Sequence, residues 1–209
     1  MTLPSDELVL AAFERLALAA GGEIMDVFHA GATVEEKADS SPVTEADRRA
    51  EAVILEGLRS QFLGVPCVAE EEASAGLLPP NLGQAFFLVD PLDGTKEFIK
   101  RRPDFTVNIA LVRNGIPEIG VVYAPAQGVL YAGRPGNASA VAVSADHVPG
   151  DRTEISVRKC PPSRTIVASR SHRTPETDEY IGRHRAHPER ARRRPRSQGP
   201  RFAPARCSP

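Results

Sequence analysis

The stretch Phe86-Phe87-Leu88-Val89-Asp90-Pro91-Leu92-Asp93-Gly94-Thr95 constrains this chain more than any other part of it. An apolar, strand-forming run drives the backbone into a sheet and then presents a carboxylate, a proline, a second carboxylate, a glycine and a hydroxyl. Pro91 has no N–H and a fixed φ, so strand pairing is expected to stop there, while Gly94 lets the backbone turn tightly or approach a ligand. Two carboxylates on so stiff a turn repel one another unless a cation lies between them. A strand ending in a polar turn with solvated acids fits the same residues. The rest of the chain has to decide between the two.

The charge balance is informative once it is divided. The formal net charge is -1, but residues 182 to 209 hold nine Arg and a single acid, Glu189, so the first 181 residues carry a net charge of -9. An acidic body argues against general nucleic-acid binding and suits a protein that gathers divalent cations. Cys67, Cys160 and Cys207 are odd in number and far apart, with no metal-ligand spacing and no disulfide framework, which points to reduced thiols and a cytoplasmic protein. The apolar run from Leu8 to Ala20 is interrupted by Glu14 and Arg15, so neither a signal peptide nor a transmembrane segment is expected.

Two helices are expected first. Ser5 to about His29 has acids in its first turn and apolar positions at Leu8, Ala12, Leu16 and Ala19, weakened near its end by Gly21 and Gly22, where Ile24, Val27 and Phe28 resume the apolar face. After the polar loop Lys37-Ala38-Asp39-Ser40-Ser41-Pro42-Val43, Thr44 followed by Asp47 has the form of a helix start. Ala50, Val53, Ile54, Gly57 and Leu58 continue an apolar stripe. On this segment alone Asp47 reads more simply as a cap than as a catalytic group.

Val65 to Ala69 is a short strand running into Glu70-Glu71-Glu72, which in isolation reads as a solvated loop. Because Asp90 also ends a strand, the two acidic strand ends can converge at one edge of a sheet. Lys96 to Lys100 reads as a short turn or helix. Phe105, Val107, Ile109 and Leu111 alternate along one strand face, and Asn114-Gly115 is a hairpin turn leading into Ile116 to Ala124. Gly128 to Ala132, Ala138 to Val143, Arg152 to Val157 and Thr165 to Ser169 add further strands. The expected fold class is α+β, a layered sandwich with N-terminal helices on a mainly antiparallel sheet. A further helix is expected to open at Thr174-Pro175-Glu176.

At this point the pattern resembles a known family. Glu70, then Asp90-Pro91-Leu92-Asp93-Gly94-Thr95, is similar to the lithium-sensitive, magnesium-dependent phosphatases that include inositol monophosphatase and fructose-1,6-bisphosphatase. The fuller string Val89 to Lys100, with Phe105 to Leu111, Lys37 to Asp47 and Ser169-Arg170-Ser171-His172, resembles the 3'(2'),5'-bisphosphate nucleotidase branch that serves sulfate assimilation.

The resemblance implies a Mg²⁺-dependent phosphomonoesterase, with two or three ions and inhibition by Li⁺. Glu70, Asp90, Asp93 and the Leu92 carbonyl would be its metal ligands, and Asp47 with Thr95 the pair that activates water. Gly94 and Thr95 would hold the phosphate, and Ser169 and His172 would contact a small-molecule nucleotide, adenosine 3',5'-bisphosphate. A buried structural role fits His172 equally. The alternatives are an inositol- or sugar-phosphate phosphatase, or an inactive metal- or nucleotide-binding remnant. A peripheral place at the inner face of the membrane is the alternative to a free cytoplasmic one.

The expected organisation is a metal-binding domain over 1–132, the start of a second, incomplete α/β domain over 133–181, and an Arg/Pro-rich tail over 182–209. The tail has no Leu, Ile, Val, Met, Tyr or Trp and reads as disordered or out of frame. The family normally continues with a Trp-Asp segment that supplies a further metal ligand, and this chain has no Trp.

Overall fold

A computed structural model describes residues 4–31, 34–36, 42–159, 166–168 and 174–183. Two compact units divide the chain, 1–156 and 157–209. The first contains helix α1 (Asp6–Ala30), the short strands β1 (Val34–Glu36) and β2 (Pro42–Thr44), helix α2 (Glu45–Gln61), strand β3 (Cys67–Ala69) and helix α3 (Glu70–Ser74). Strand β4 (Ala85–Asp93) and helix α4 (Thr95–Ile99) follow. The unit is completed by β5 (Thr106–Arg113), β6 (Ile116–Ala124), β7 (Val129–Arg134), β8 (Asn137–Val143) and β9 (Pro149–Glu154). In the second unit the described residues form helix α5 (Pro175–Arg183), at the place where Thr174-Pro175-Glu176 announces one. Position 132, the expected end of the first domain, lies inside β7, and the sheet runs on through β9.

β3 to β9 make a seven-stranded sheet in sequence order. Only β3 and β4 are parallel; every later pair is antiparallel. The alternation read from β5 holds, with Phe105, Val107, Ile109 and Leu111 all at most 1% exposed. Asn114 and Gly115 take φ of 50° and 78°, the left-handed pair that a tight hairpin requires. The last strand is Pro149–Glu154 rather than Arg152 to Val157, and all its residues are exposed. Of the strand expected over Thr165 to Ser169, residues 166–168 have no regular structure, and the two ends lie outside the described residues.

α1 and α2 cover one face of the sheet. Phe13 of α1 and Phe62, just past α2, meet Phe87 of β4 edge-on at 5.4 and 5.2 Å between ring centres, and Phe28, Phe98 and Phe105 form a second aromatic group. Three ion pairs lay α1 across the strands: Asp6 with Arg113, Glu7 with Arg134 and Glu14 with Arg152. The opposite face bears partly exposed Leu88, Val122 and Tyr131. These residues, with Asp90 and Asn108, line an open, mostly apolar groove of about 450 Å³.

The buried stripe of α1 matches the expected one at Ala12, Leu16, Ile24 and Val27 and differs from it elsewhere. Leu8 is 63% exposed and Ala19 is exposed, while Val9, Phe13, Leu16, Ala17, Ala20, Ile24 and Val27 face the core. Leu and Ala occur all round this helix, so periodicity alone leaves its rotation open by one residue. Nor do the glycines break it. Gly21 is where the helix meets β6, and a Cβ there would stand 2.2 Å from the Tyr123 ring. That ring is fully buried and its hydroxyl hydrogen-bonds His147 Nδ1 at 2.7 Å, so it has no room to swing aside. Gly57 of α2 plays the same part against Leu16, where α1 and α2 touch. Gly21→Ala is therefore expected to destabilise the fold by about 1–3 kcal/mol through overpacking, although alanine is the better helix former. A lowered melting temperature in thermal denaturation, with far-UV circular dichroism unchanged, checks this.

Candidate active site

The site is assembled at the strand ends that the sequence singles out. Parallel pairing sets Ala69 of β3 beside Val89 of β4, so Glu70 and Asp90 follow from adjacent strands at the same edge. Glu70, Glu71 and Glu72 are not a loop but the first turn of α3.

β4 also continues past Pro91, against expectation. Asp90 pairs with Asn108 and Asp93 with Thr106, so Pro91 and Leu92 stand opposite Val107 alone and form a bulge. A proline needs no ladder partner at a bulge, and both Pro91 and Leu92 are buried there, which fixes the two acids at either side. Gly94 then turns the chain with φ 96°. A Cβ at this position would approach Asp104 O to 2.8 Å, so a larger residue is excluded on both counts. Its carbonyl accepts hydrogen bonds from Glu97 N and Phe98 N, which starts α4 with Thr95 as its first residue.

Asp47 reaches this edge from α2, where it closes the helix cap and also meets Thr95. Its Oδ2 accepts from Thr44 N at 2.7 Å and from Thr44 Oγ1 at 2.6 Å, closing a capping box. Its Oδ1 is left for Thr95, whose Oγ1 lies 3.2 Å away and at the same distance from Leu92 O. The carboxylate is 2% exposed. Burial raises its pKa, and the hydrogen bonds from Thr44 and Thr95 hold it back.

Asp90 is the most perturbed acid. Burial first, then the Glu70 and Asp93 carboxylates, push it up to about 7, with a hydrogen bond from the Leu92 main chain opposing. Its Oδ1 is buried and has no hydrogen-bond partner among the described residues. An orphaned carboxylate oxygen with two like charges close by is the signature of a place where a cation is due. Carboxylates and a main-chain carbonyl are also hard donors of the kind Mg²⁺ takes. Among the described residues no three such side chains yet converge tightly enough to hold an ion as they stand. The donor set thus fits a divalent cation in kind.

The structure brings Asp47, Glu70, Asp90, Leu92, Asp93, Gly94 and Thr95 to one edge. Ser169 and His172 lie outside the described residues. Sequence reasoning missed Glu51. It stands one turn after Asp47 on α2, and its spacing from Asp47 was the available signal.

Comparisons with known proteins give the family and the fold. Residues 5–200 match the model of the "Inositol monophosphatase family", and the chain belongs to that family. The 3'(2'),5'-bisphosphate nucleotidase CysQ of Salmonella typhimurium is 45% identical over 169 residues, 80% of this chain and 65% of that protein. The Escherichia coli K12 protein of the same name is 44% identical over equal shares. The chain thus spans just under two thirds of the length of the curated relatives it matches. Among solved structures, CysQ from Bacteroides thetaiotaomicron, described as a bacterial member of the inositol monophosphatase family, superposes with a TM-score of 0.65 at 33% identity. That match covers 84% of this chain and 68% of that one. The mixed α and β architecture with its mainly antiparallel sheet is therefore the fold of this family. Among the described residues no helix is long and apolar enough to cross a membrane.

The raised pKa of Asp90 has a consequence for stability. The folded chain holds a proton there that the unfolded chain releases near pH 4, so the fold loses stability as pH rises from about 4 to 7. Asp90→Asn removes that charge. In buffer containing a chelator it is expected to raise the melting temperature by about 4 °C at pH 8 and leave it nearly unchanged at pH 4. Thermal denaturation of both chains at the two pH values checks this.

Proposed function

We propose that this chain is a divalent-metal-dependent phosphomonoesterase that hydrolyses adenosine 3',5'-bisphosphate to AMP and phosphate. The observation that carries the reading is the hydrogen bond of Thr95 to the buried Asp47, beside the strand end bearing Glu70, Asp90 and Asp93. The names of the CysQ relatives support the substrate. In this reading Glu70, Asp90, Asp93 and the Leu92 carbonyl would hold Mg²⁺. When bound, the metal supplies Lewis-acid polarisation of the phosphoryl oxygens and lowers the pKa of water.

The chain's own residues do the rest. Thr95 has one hydroxyl proton. When it is donated to Asp47 Oδ1, a lone pair on Thr95 Oγ1 is free to accept a proton from an incoming water. Burial makes Asp47 a stronger base than an exposed aspartate, and Thr44 fixes its orientation through the other oxygen. The water oxygen bonds to phosphorus, the bond from phosphorus to the ribose 3'-oxygen breaks, and that oxygen takes up a proton. The N–H groups of Gly94 and Thr95 are read as phosphate donors, and Ser169 and His172 as contacts to the adenosine. Inhibition by Li⁺ and a cytoplasmic setting belong to the same reading.

Phosphate release by the purified 209-residue chain in Mg²⁺ is the test, with adenosine 3',5'-bisphosphate and inositol 1-phosphate as substrates and Asp93→Asn as the blank. Turnover above the blank and faster on the bisphosphate is expected. Faster release from inositol 1-phosphate would replace the nucleotidase by a sugar-phosphate phosphatase, and rates equal to the blank would overturn the enzymatic reading. Asp47→Asn and Thr95→Ala are each expected to lower kcat by about 10²–10⁴, with Thr95→Ser restoring most of the loss.

A further inference from the structure

Helix α3 begins where its own sequence cannot finish it. The residue before it, Ala69, has no side-chain acceptor, and three acids fill its first turn. The orphan N–H groups of that turn are met from another helix. Glu51 of α2 accepts from Glu71 N through Oε2 at 2.8 Å and from Glu72 N through Oε1 at 2.9 Å. Its side chain is 5% exposed and stands one turn from Asp47 on the same helix face. A buried carboxylate beside Glu71 and Glu72 is an expensive cap, since burial and both neighbours disfavour its charge. A hydroxyl or an amide would avoid the repulsion, but neither can accept from two successive N–H groups with two oxygens. What the carboxylate supplies is a two-point clamp on the turn that starts with Glu70.

We propose that Glu51 is a positioning residue for Glu70. By clamping the first turn of α3 to the helix that carries Asp47, it sets where the Glu70 carboxylate stands relative to Asp90 and so how tightly the site takes a divalent cation. This rests on the reading of Glu70, Asp90 and Asp93 as metal ligands. Groups that orient metal ligands typically cost about 10–100-fold in metal affinity when lost.

The test is the affinity of the full chain for Mn²⁺, measured by titration calorimetry well below the melting temperature. The chains compared are the unaltered protein, Glu51→Gln, Glu70→Gln, the double variant Glu51→Gln/Glu70→Gln, and Arg59→Gln. The last removes the half-exposed Arg59–Glu72 ion pair that joins the same two helices and leaves the clamp intact. Glu51→Gln is expected to weaken Mn²⁺ binding about tenfold. It should add nothing once Glu70 is already Gln, while Arg59→Gln stays within about twofold.

A Glu51→Gln chain that binds Mn²⁺ as the unaltered protein does, while Glu70→Gln binds weakly, overturns the proposal and leaves the metal reading standing. Additive losses in the double variant overturn it too, because they describe a general structural role. An unaltered chain that binds no Mn²⁺, or a Glu70→Gln chain that binds equally well, overturns the metal reading and the proposal with it. Circular dichroism checks that each chain folds. Should Glu51→Gln not fold, Glu51→Asp, which keeps both oxygens one methylene short, is read against the same outcomes.

Discussion

One short parallel pairing, Cys67 to Ala69 against Phe87 to Val89, is what the site depends on. In an antiparallel pair, neighbouring strands end at opposite edges, and whatever follows them diverges. In a parallel pair the two strands run to the same end of the sheet, and here Ala69 and Val89, side by side, are each followed at once by an acid. The rest of the sheet, antiparallel from β4 to β9, holds β4 in place and leaves the concentration of negative charge to that one edge. The bulge at Pro91 and Leu92 lets β4 carry a second acid and still return to its ladder. Burial first, and then the repulsion from Glu70 and Asp93, raises the pKa of Asp90.

Helix α2 sets the other side. Asp47 and Glu51 occupy one face of it, and each uses its buried carboxylate on a different partner: Thr95 at the start of α4, and the first turn of α3. Two short helices of five residues each, too short to be stable alone, are thereby tied to a long one packed in the core. The close approach of Gly57 to Leu16 keeps that long helix pressed against α1. Side chains on these short elements are held by such ties, since neither α3 nor α4 has a side-chain cap of its own.

Much of this is written locally. The alternation in β5, the Asn114-Gly115 turn, the capping pair Thr44 and Asp47 and the acids at two strand ends are each decided by neighbours within a few residues, and each appears where the sequence puts it. What could not be seen depends on partners far along the chain. The rotation of α1 is chosen by where Phe13 meets Phe87. The helix at Glu70 exists with Glu51, nearly twenty residues earlier, as its cap. Gly21 looks like a weak point until Tyr123, a hundred residues away, is known to fill the space beside it. Pro91 taught the opposite lesson, because the rule that proline ends pairing gives way where a bulge leaves its nitrogen without a partner to lose.

The last strand, β9, bears on how this sheet ends. Its six residues are all exposed, it opens with Pro149, and Asp151, Arg152 and Glu154 follow. An open strand edge is a template for another chain, and proline with alternating charge is a common way to refuse one. At the opposite edge β3 is only three residues long and turns at once into α3. The sheet is thus closed to growth at both margins by different means. A three-residue margin offers a foreign strand little to pair with, and Glu70 begins directly where it stops.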